Sequence, residues 1–325
     1  MEVSQQQLNL SLSSGSSMQD IASLSMEVYR FLEESVLPAL AYPRLTQLLE
    51  KGREQRATPP YIQTDLFPTL ACLAVGGTAR RAIPLSAAWM LYILAARLFD
   101  DLQDGVDSGL AVEGGVKEAA SLGLAVFGAA NSALSHLEGD VETLAAVYGA
   151  FGSVLALAAQ AQQTRGAGGV DSVEAYFHTV AARTGMVFAT GAWCGGRLVT
   201  DDPELLEALR QYGLNLGMAM QIADDCKDLA TGDIARRTVT LPILYALSRR
   251  DHPSRVRLAS LLEQQPDEAC VQEILLILSQ MKAVTWSLEV AAAYRQQAIS
   301  ALSPLPEEPR ERLVTYIQRS NEYLD

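Results

Sequence analysis

The stretch Gly217-Met218-Ala219-Met220-Gln221-Ile222-Ala223-Asp224-Asp225-Cys226-Lys227-Asp228 ends a long apolar run in two adjacent aspartates and a third four places after the first. The same pattern stands earlier in the chain, at Leu98-Phe99-Asp100-Asp101-Leu102-Gln103-Asp104. On a helix, residues i and i+4 share a face one turn apart, so Asp100 points with Asp104, and Asp224 with Asp228. Carboxylates gathered on one face repel each other. One such motif suits a solvated helix end. Two of them, each closing an apolar helix, point to neutralisation by cations. Mg²⁺ takes oxygen ligands from one or two carboxylates and completes its shell with water and substrate phosphates. Two such faces opposed across a cavity would hold a diphosphate between metal ions.

Outward from the two motifs, Leu, Ala, Val and Met recur at i, i+3, i+4 and i+7, and alternating patterns are hard to find. Gly and Pro fall between the apolar segments. The pattern predicts helices near 21–51 (bent at Pro38), 62–75, 83–104, 116–136, 140–163, 172–198, 203–230, 238–250, 254–264, 267–302 and 308–322. Long helices with tight connections predict an all-α antiparallel helical bundle. Nothing in the middle reads as a linker, so the expected organisation is a flexible N-terminal tail over 1–20 and a single domain over 21–325.

A formal charge of −13 disfavours nucleic acid and anionic lipid surfaces as partners. It also means that a site for an anionic substrate needs metal ions or local Arg and Lys. Cys72, Cys194, Cys226 and Cys270 have no zinc or redox spacing, and buried free thiols are expected. His136, His178 and His252 lie far apart, which leaves a histidine-based zinc site or nucleophilic triad unsupported. The start, Met1 to Asp20, lacks a basic segment followed by an apolar run. Apolar windows such as 119–130 fall short of the ~20 residues that a membrane span needs. The expectation is a cytoplasmic protein without stable membrane insertion.

The chain resembles the isoprenyl diphosphate synthases, also called polyprenyl synthetases, over about Leu66 to Leu247. Four stretches carry the resemblance: Leu85 to Asp104, Tyr176 to Gly185 (YFHTVAARTG), Gly217 to Asp228, and Arg236 to Leu247 (RRTVTLPILYAL). It implies an all-α fold around a central cavity and an allylic prenyl diphosphate as substrate. It implies Mg²⁺ held by Asp100, Asp104 and Asp224, three ions with diphosphate bound, with Asp101, Asp225 and Asp228 in support. Arg183, Thr184, Gln221, Lys227 and Arg237 would line the diphosphate region. The resemblance also implies a homodimer.

The chain departs from the elongating members of that family. They bind isopentenyl diphosphate through cations ahead of a proline that matches Pro68. Here the preceding residues are Gln63, Thr64, Asp65, Leu66 and Phe67. They also carry an arginine pair soon after the first motif, where this chain reads Gly105-Val106-Asp107-Ser108-Gly109-Leu110. Charge-assisted contacts contribute about 1.5–3 kcal/mol each, so losing several weakens an anionic second substrate. Arg53 and Arg56 lie upstream at a different spacing. The resulting expectation is a terpene synthase or cyclase acting on a C15 or C20 diphosphate and yielding a hydrocarbon or alcohol. The alternatives are a prenyltransferase, either chain-elongating or using a non-diphosphate acceptor, and a non-catalytic partner subunit of a synthase.

An allylic cation needs a dry apolar cavity and gains from aromatic faces. Candidates for the wall are Trp89, Tyr92, Phe99 and Phe188, with Trp193 and Tyr212 further off; each is also a normal core residue. Ala95 and Ala96, one turn before the first motif, leave room for a long chain. Arg97 could pair with a carboxylate or with diphosphate.

Overall fold

Helix starts follow local chemistry. In the computed structural model, which describes residues 18–56, 66–104, 115–168 and 171–322, Ser172 accepts from the Ala175 amide at 3.2 Å. Asp202 accepts from the Glu204 amide at 2.9 Å, ahead of Pro203 in the first turn. Asp267 accepts from the Cys270 amide at 2.8 Å. Each satisfies a donor that the first helical turn leaves without a partner.

The described elements are helical. The chain runs through α1 (Met18–Phe31), a π turn (Leu32–Val36), α2 (Leu37–Leu40), α3 (Pro43–Arg56), α4 (Phe67–Ala74), α5 (Ala79–Asp104), α6 (Gly115–Leu134) and α7 (Val141–Gly168). Then come α8 (Val173–Val180), a π turn (Ala181–Gly185), α9 (Met186–Arg197), α10 (Pro203–Asp228) and a third π turn (Leu229–Asp233). The last five are α11 (Leu241–Ser248), α12 (Ser254–Glu263), α13 (Glu268–Gln280), α14 (Ala283–Ala301) and α15 (Glu307–Glu322).

The expected bundle is present, with four local differences. The first long helix breaks at Ala41, in the left-handed region at φ 47°, rather than bending at Pro38; Pro38 sits in the opening turn of α2, where its missing N–H costs little. The helix expected to start at 83 reaches back to Ala79 despite Pro84. The segment 267–302 is two helices bent by 62° at Met281–Lys282, where Lys282 has φ 53°. The end of the expected tail is already helical, since α1 begins at Met18; the rest of the tail lies outside the described residues.

The main core gathers around Phe67. Its ring lies 5.2 Å from Phe188, 5.6 Å from Tyr212, 5.8 Å from Tyr316 and 6.1 Å from Trp89. This set ties α4, α5, α9, α10 and α15 together, and Tyr212 donates to the Leu313 carbonyl at 3.2 Å. Inside it, the Thr69 and Ser86 hydroxyls, 2.8 Å apart, satisfy each other between α4 and α5. A second cluster holds α11 to α14.

The length argument behind the membrane expectation, that apolar windows fall short of a span, needs correction. Two helices are long and apolar enough to cross a membrane, Ala79–Asp100 and Val141–Gln162. In the first, 67% of the apolar window is buried in the protein; in the second, 17%.

Candidate active site

The two aspartate motifs close α5 and α10, and α9 with its preceding π turn packs on both helices. Three α10 residues at i+4 spacing, Gly213, Gly217 and Gln221, face that packing, with Asp225 next in the row. A Cβ on Gly213 would lie 2.4 Å from the Phe188 carbonyl oxygen, and one on Gly217 would lie 2.9 Å from that of Thr184. Glycine at both places lets the backbones close, which brings the π turn within reach of the second motif.

The π turn carries neighbouring residues to two different helices, as such turns do at functional sites. Arg183 Nη2 donates to Asp100 Oδ2 at 3.2 Å, reaching the first motif. Thr184 Oγ1 donates to Gln221 Oε1 at 2.8 Å, reaching the second. Gln221 Nε2 then donates to Asp225 Oδ1 at 2.8 Å, and the Tyr176 hydroxyl donates to Asp225 Oδ2 at 2.6 Å. Tyr176, Arg183, Thr184, Gln221 and Asp225 line a narrow recess of about 20 Å³ with Thr179, Val180 and Val239.

The aspartates of the second motif therefore divide. Asp225 is in a hydrogen-bonded row against α8. Asp224 is pushed up to about 6, first by burial, then by the charges of Asp228 and Asp225, with Arg97 and Lys227 pulling the other way. Asp228 and Lys227 are exposed at the helix end. A half-buried carboxylate raised by the charges of its neighbours is chemistry that a hard cation would suit. Among the described residues no group of three or more His, Cys, Asp or Glu is close enough to hold a metal ion. The side chains of Asp101 and Asp104 lie outside the described residues, as do 105–114 and the Gln63–Asp65 stretch.

Other expected site residues fall elsewhere. Arg237, at φ 58°, donates to the Gln264 carbonyl at 2.9 Å on the exposed side. Trp89 and Phe188 are packed edge to face at 5.5 Å in the core and present no open wall. Tyr92 stacks on Phe151, meets Phe127 edge-on and donates to Asn131 Oδ1 at 3.1 Å. Ala95 is buried, whereas Ala96 and Phe99 are exposed, the Phe99 ring lying over Gly123 of α6. Arg53 is engaged with Glu33. Tyr176 opens the stretch YFHTVAARTG but is not among the residues expected at the site. Its spacing of seven and eight from Arg183 and Thr184 on one helical stretch was the available signal.

The polyprenyl synthetase family model matches residues 107–278. Among curated proteins, a nonaprenyl diphosphate synthase of Mycobacterium tuberculosis is 34% identical over 47% of this chain and 49% of its own length. A dimethylallyltranstransferase of the same organism is 31% identical over 60% of this chain and 61% of its own. The chain thus spans about half to three-fifths of these relatives. Among solved structures, a polyprenyl synthase from Caulobacter crescentus complexed with calcium and isoprenyl diphosphate superposes with a TM-score of 0.75 at 23% identity, covering 93% of this chain and 94% of that one. The family model alone takes in more than half of the sequence, including the whole second motif and the Arg183–Thr184 turn, and so the chain belongs to the polyprenyl synthetase family.

Proposed function

We propose that this chain is a Mg²⁺-dependent prenyltransferase that ionises an allylic prenyl diphosphate between α5 and α10. The observation that carries the reading is a single turn of helix bonded to both aspartate helices, through Arg183 to Asp100 and through Thr184 to Gln221. Asp100, Asp104 and Asp224 are the residues that would hold Mg²⁺, which suits the carboxylate crowding around Asp224. When bound, Mg²⁺ offsets the charge that develops on departing diphosphate. Arg183 is placed to donate to that diphosphate from the same end of the cavity, a preorganised electrostatic contact. Gln221 and Thr184 orient the reacting end of the substrate. The apolar helices behind them exclude water from the cation left behind.

The names of the relatives, a nonaprenyl diphosphate synthase and a dimethylallyltranstransferase, support prenyl transfer, with chain elongation first, over the terpene synthase expected above. One feature keeps ionisation without a second diphosphate as the other reading: no Lys or Arg stands between Ala57 and Pro68 or between Gly105 and Val116. Purified protein with Mg²⁺ and C10, C15 or C20 allylic diphosphates, with and without isopentenyl diphosphate, separates them. Elongation gives a longer prenyl diphosphate only when isopentenyl diphosphate is added. A hydrocarbon or alcohol from the allylic substrate alone would establish the terpene synthase. Absence of diphosphate release under every condition would remove both.

A homodimer belongs to the same proposal. On α7, Tyr148, Gly149, Gly152, Ser153, Ala156 and Leu157 form an exposed, largely apolar face. Leu124 and Phe127 of α6 are exposed as well. A second copy would remove these from water.

A further inference from the structure

We infer that Tyr176 and Asp225 are positioning residues that act through Gln221 to fix the hydroxyl of Thr184 as a hydrogen-bond acceptor toward the recess. This rests on the reading of the site as one that ionises a prenyl diphosphate. The argument follows the direction of each bond. A carboxylate only accepts. Asp225 takes one hydrogen bond from the Tyr176 hydroxyl at 2.6 Å and one from the Gln221 amide nitrogen at 2.8 Å. The amide group of Gln221 is thereby turned so that its oxygen faces Thr184, whose hydroxyl donates its single hydrogen there at 2.8 Å. Thr184 Oγ1 then has only lone pairs left for whatever enters the recess it lines. An oxygen in that state attracts an electron-poor carbon and repels the lone pairs of water or of a second oxygen anion. Tyr176 is buried and lies on α8, one helical turn and the π turn away from Thr184. Tyr176 also lines the recess itself, so loss of its effect in the Thr184→Val background is what separates action through the chain of three bonds from direct action.

The test is a double-mutant cycle on Tyr176→Phe and Asp225→Asn, each made in the wild-type chain and in Thr184→Val. In the wild-type background each is expected to lower kcat by about 10–100-fold, the usual loss when an outer partner of a site is removed. KM for the allylic diphosphate, the Mg²⁺ concentration for half-activity and Tm stay near the wild-type values. In the Thr184→Val background the same changes are expected to lower kcat by no more than about twofold, because the group they position is gone. Full, additive losses in both backgrounds would overturn the inference, as would wild-type kcat in both single variants. A shifted Mg²⁺ requirement in Asp225→Asn alone would make Asp225 a metal ligand and would overturn it too. The cycle is also read without turnover, as calorimetric binding of a prenyl-length aliphatic ammonium against its neutral alcohol in Mg²⁺ and inorganic diphosphate. The wild type should prefer the ammonium, and Tyr176→Phe and Asp225→Asn should lose that preference only where Thr184 is present. If the wild type releases no diphosphate, the proposed function fails, and calorimetry still decides this inference: no preference for the ammonium in the wild type overturns it.

Discussion

At Asp224, burial and the carboxylates of Asp228 and Asp225 push the pKa up to about 6 in the metal-free protein. The folded value lies above the ordinary aspartate value of 3.8, so the neutral form is favoured on folding. The stability this contributes is fully present below the unfolded value and is lost as pH rises through about 6. In EDTA, thermal unfolding should therefore show a component that weakens from about pH 4 to about pH 6, absent in Asp224→Asn and reversed by Mg²⁺. Parallel curves for the two proteins would mean that Asp224 is not the crowded carboxylate described. Asp100→Ala and Asp224→Ala should each abolish diphosphate release while helical circular dichroism is unchanged; full turnover in either, or in excess EDTA, would remove the two-motif site. Ala95 and Ala96 differ by exposure: Ala95 is buried, Ala96 exposed. Bulk is tolerated only at the second, and Ala96→Phe should shift preference toward shorter allylic diphosphates in a competition assay. An unchanged preference would take Ala96 off the substrate's path.

The glycine row on α10 sets the distance between elements. With a Cβ at position 217, the nearest atoms would be the Thr184 carbonyl oxygen at 2.9 Å and the Gly185 Cα at 3.0 Å, both backbone. The π turn cannot yield there without moving Thr184 off Gln221. Gly217→Ala should cost about 1–3 kcal/mol by overpacking and lower kcat by more than its stability loss explains. Chemical denaturation and steady-state kinetics on the same sample check this. A stabilised, fully active variant would show that the close approach is not needed. Gly191 works similarly under Trp89, whose ring would lie 2.7 Å from an added Cβ. That packing is why Trp89 is core rather than cavity wall.

At the scale of the molecule, the uncovered side of α7 stands out. Only 17% of its most apolar window is buried, although by length and hydropathy it could cross a membrane. With a second copy as the cover, Leu157→Asp combined with Leu124→Asp should yield a monomer in sedimentation or light scattering, with the far-UV spectrum retained. A wild type that sediments as a monomer and floats with vesicles would instead assign the face to lipid.

What the sequence determined by itself is the helical class, the position of most helices and the identity of both aspartate motifs. These follow from local spacing: apolar residues every three or four places, Gly and Pro between them, carboxylates at i and i+4. The same spacing said that Asp224 and Asp228 share a face, but it could not say what Asp225 touches. That depended on Tyr176, 49 residues away, being brought to 2.6 Å. Whether Trp89 and Phe188 faced substrate or Phe67, and whether Arg237 reached the site or the Gln264 carbonyl, was decided in the same way. An aromatic or a cation has the same local pattern in either place, and only the packing of distant helices chooses its neighbour. The breaks at Ala41 and Lys282 escaped the pattern because a single left-handed residue redirects a helix without changing its apolar period.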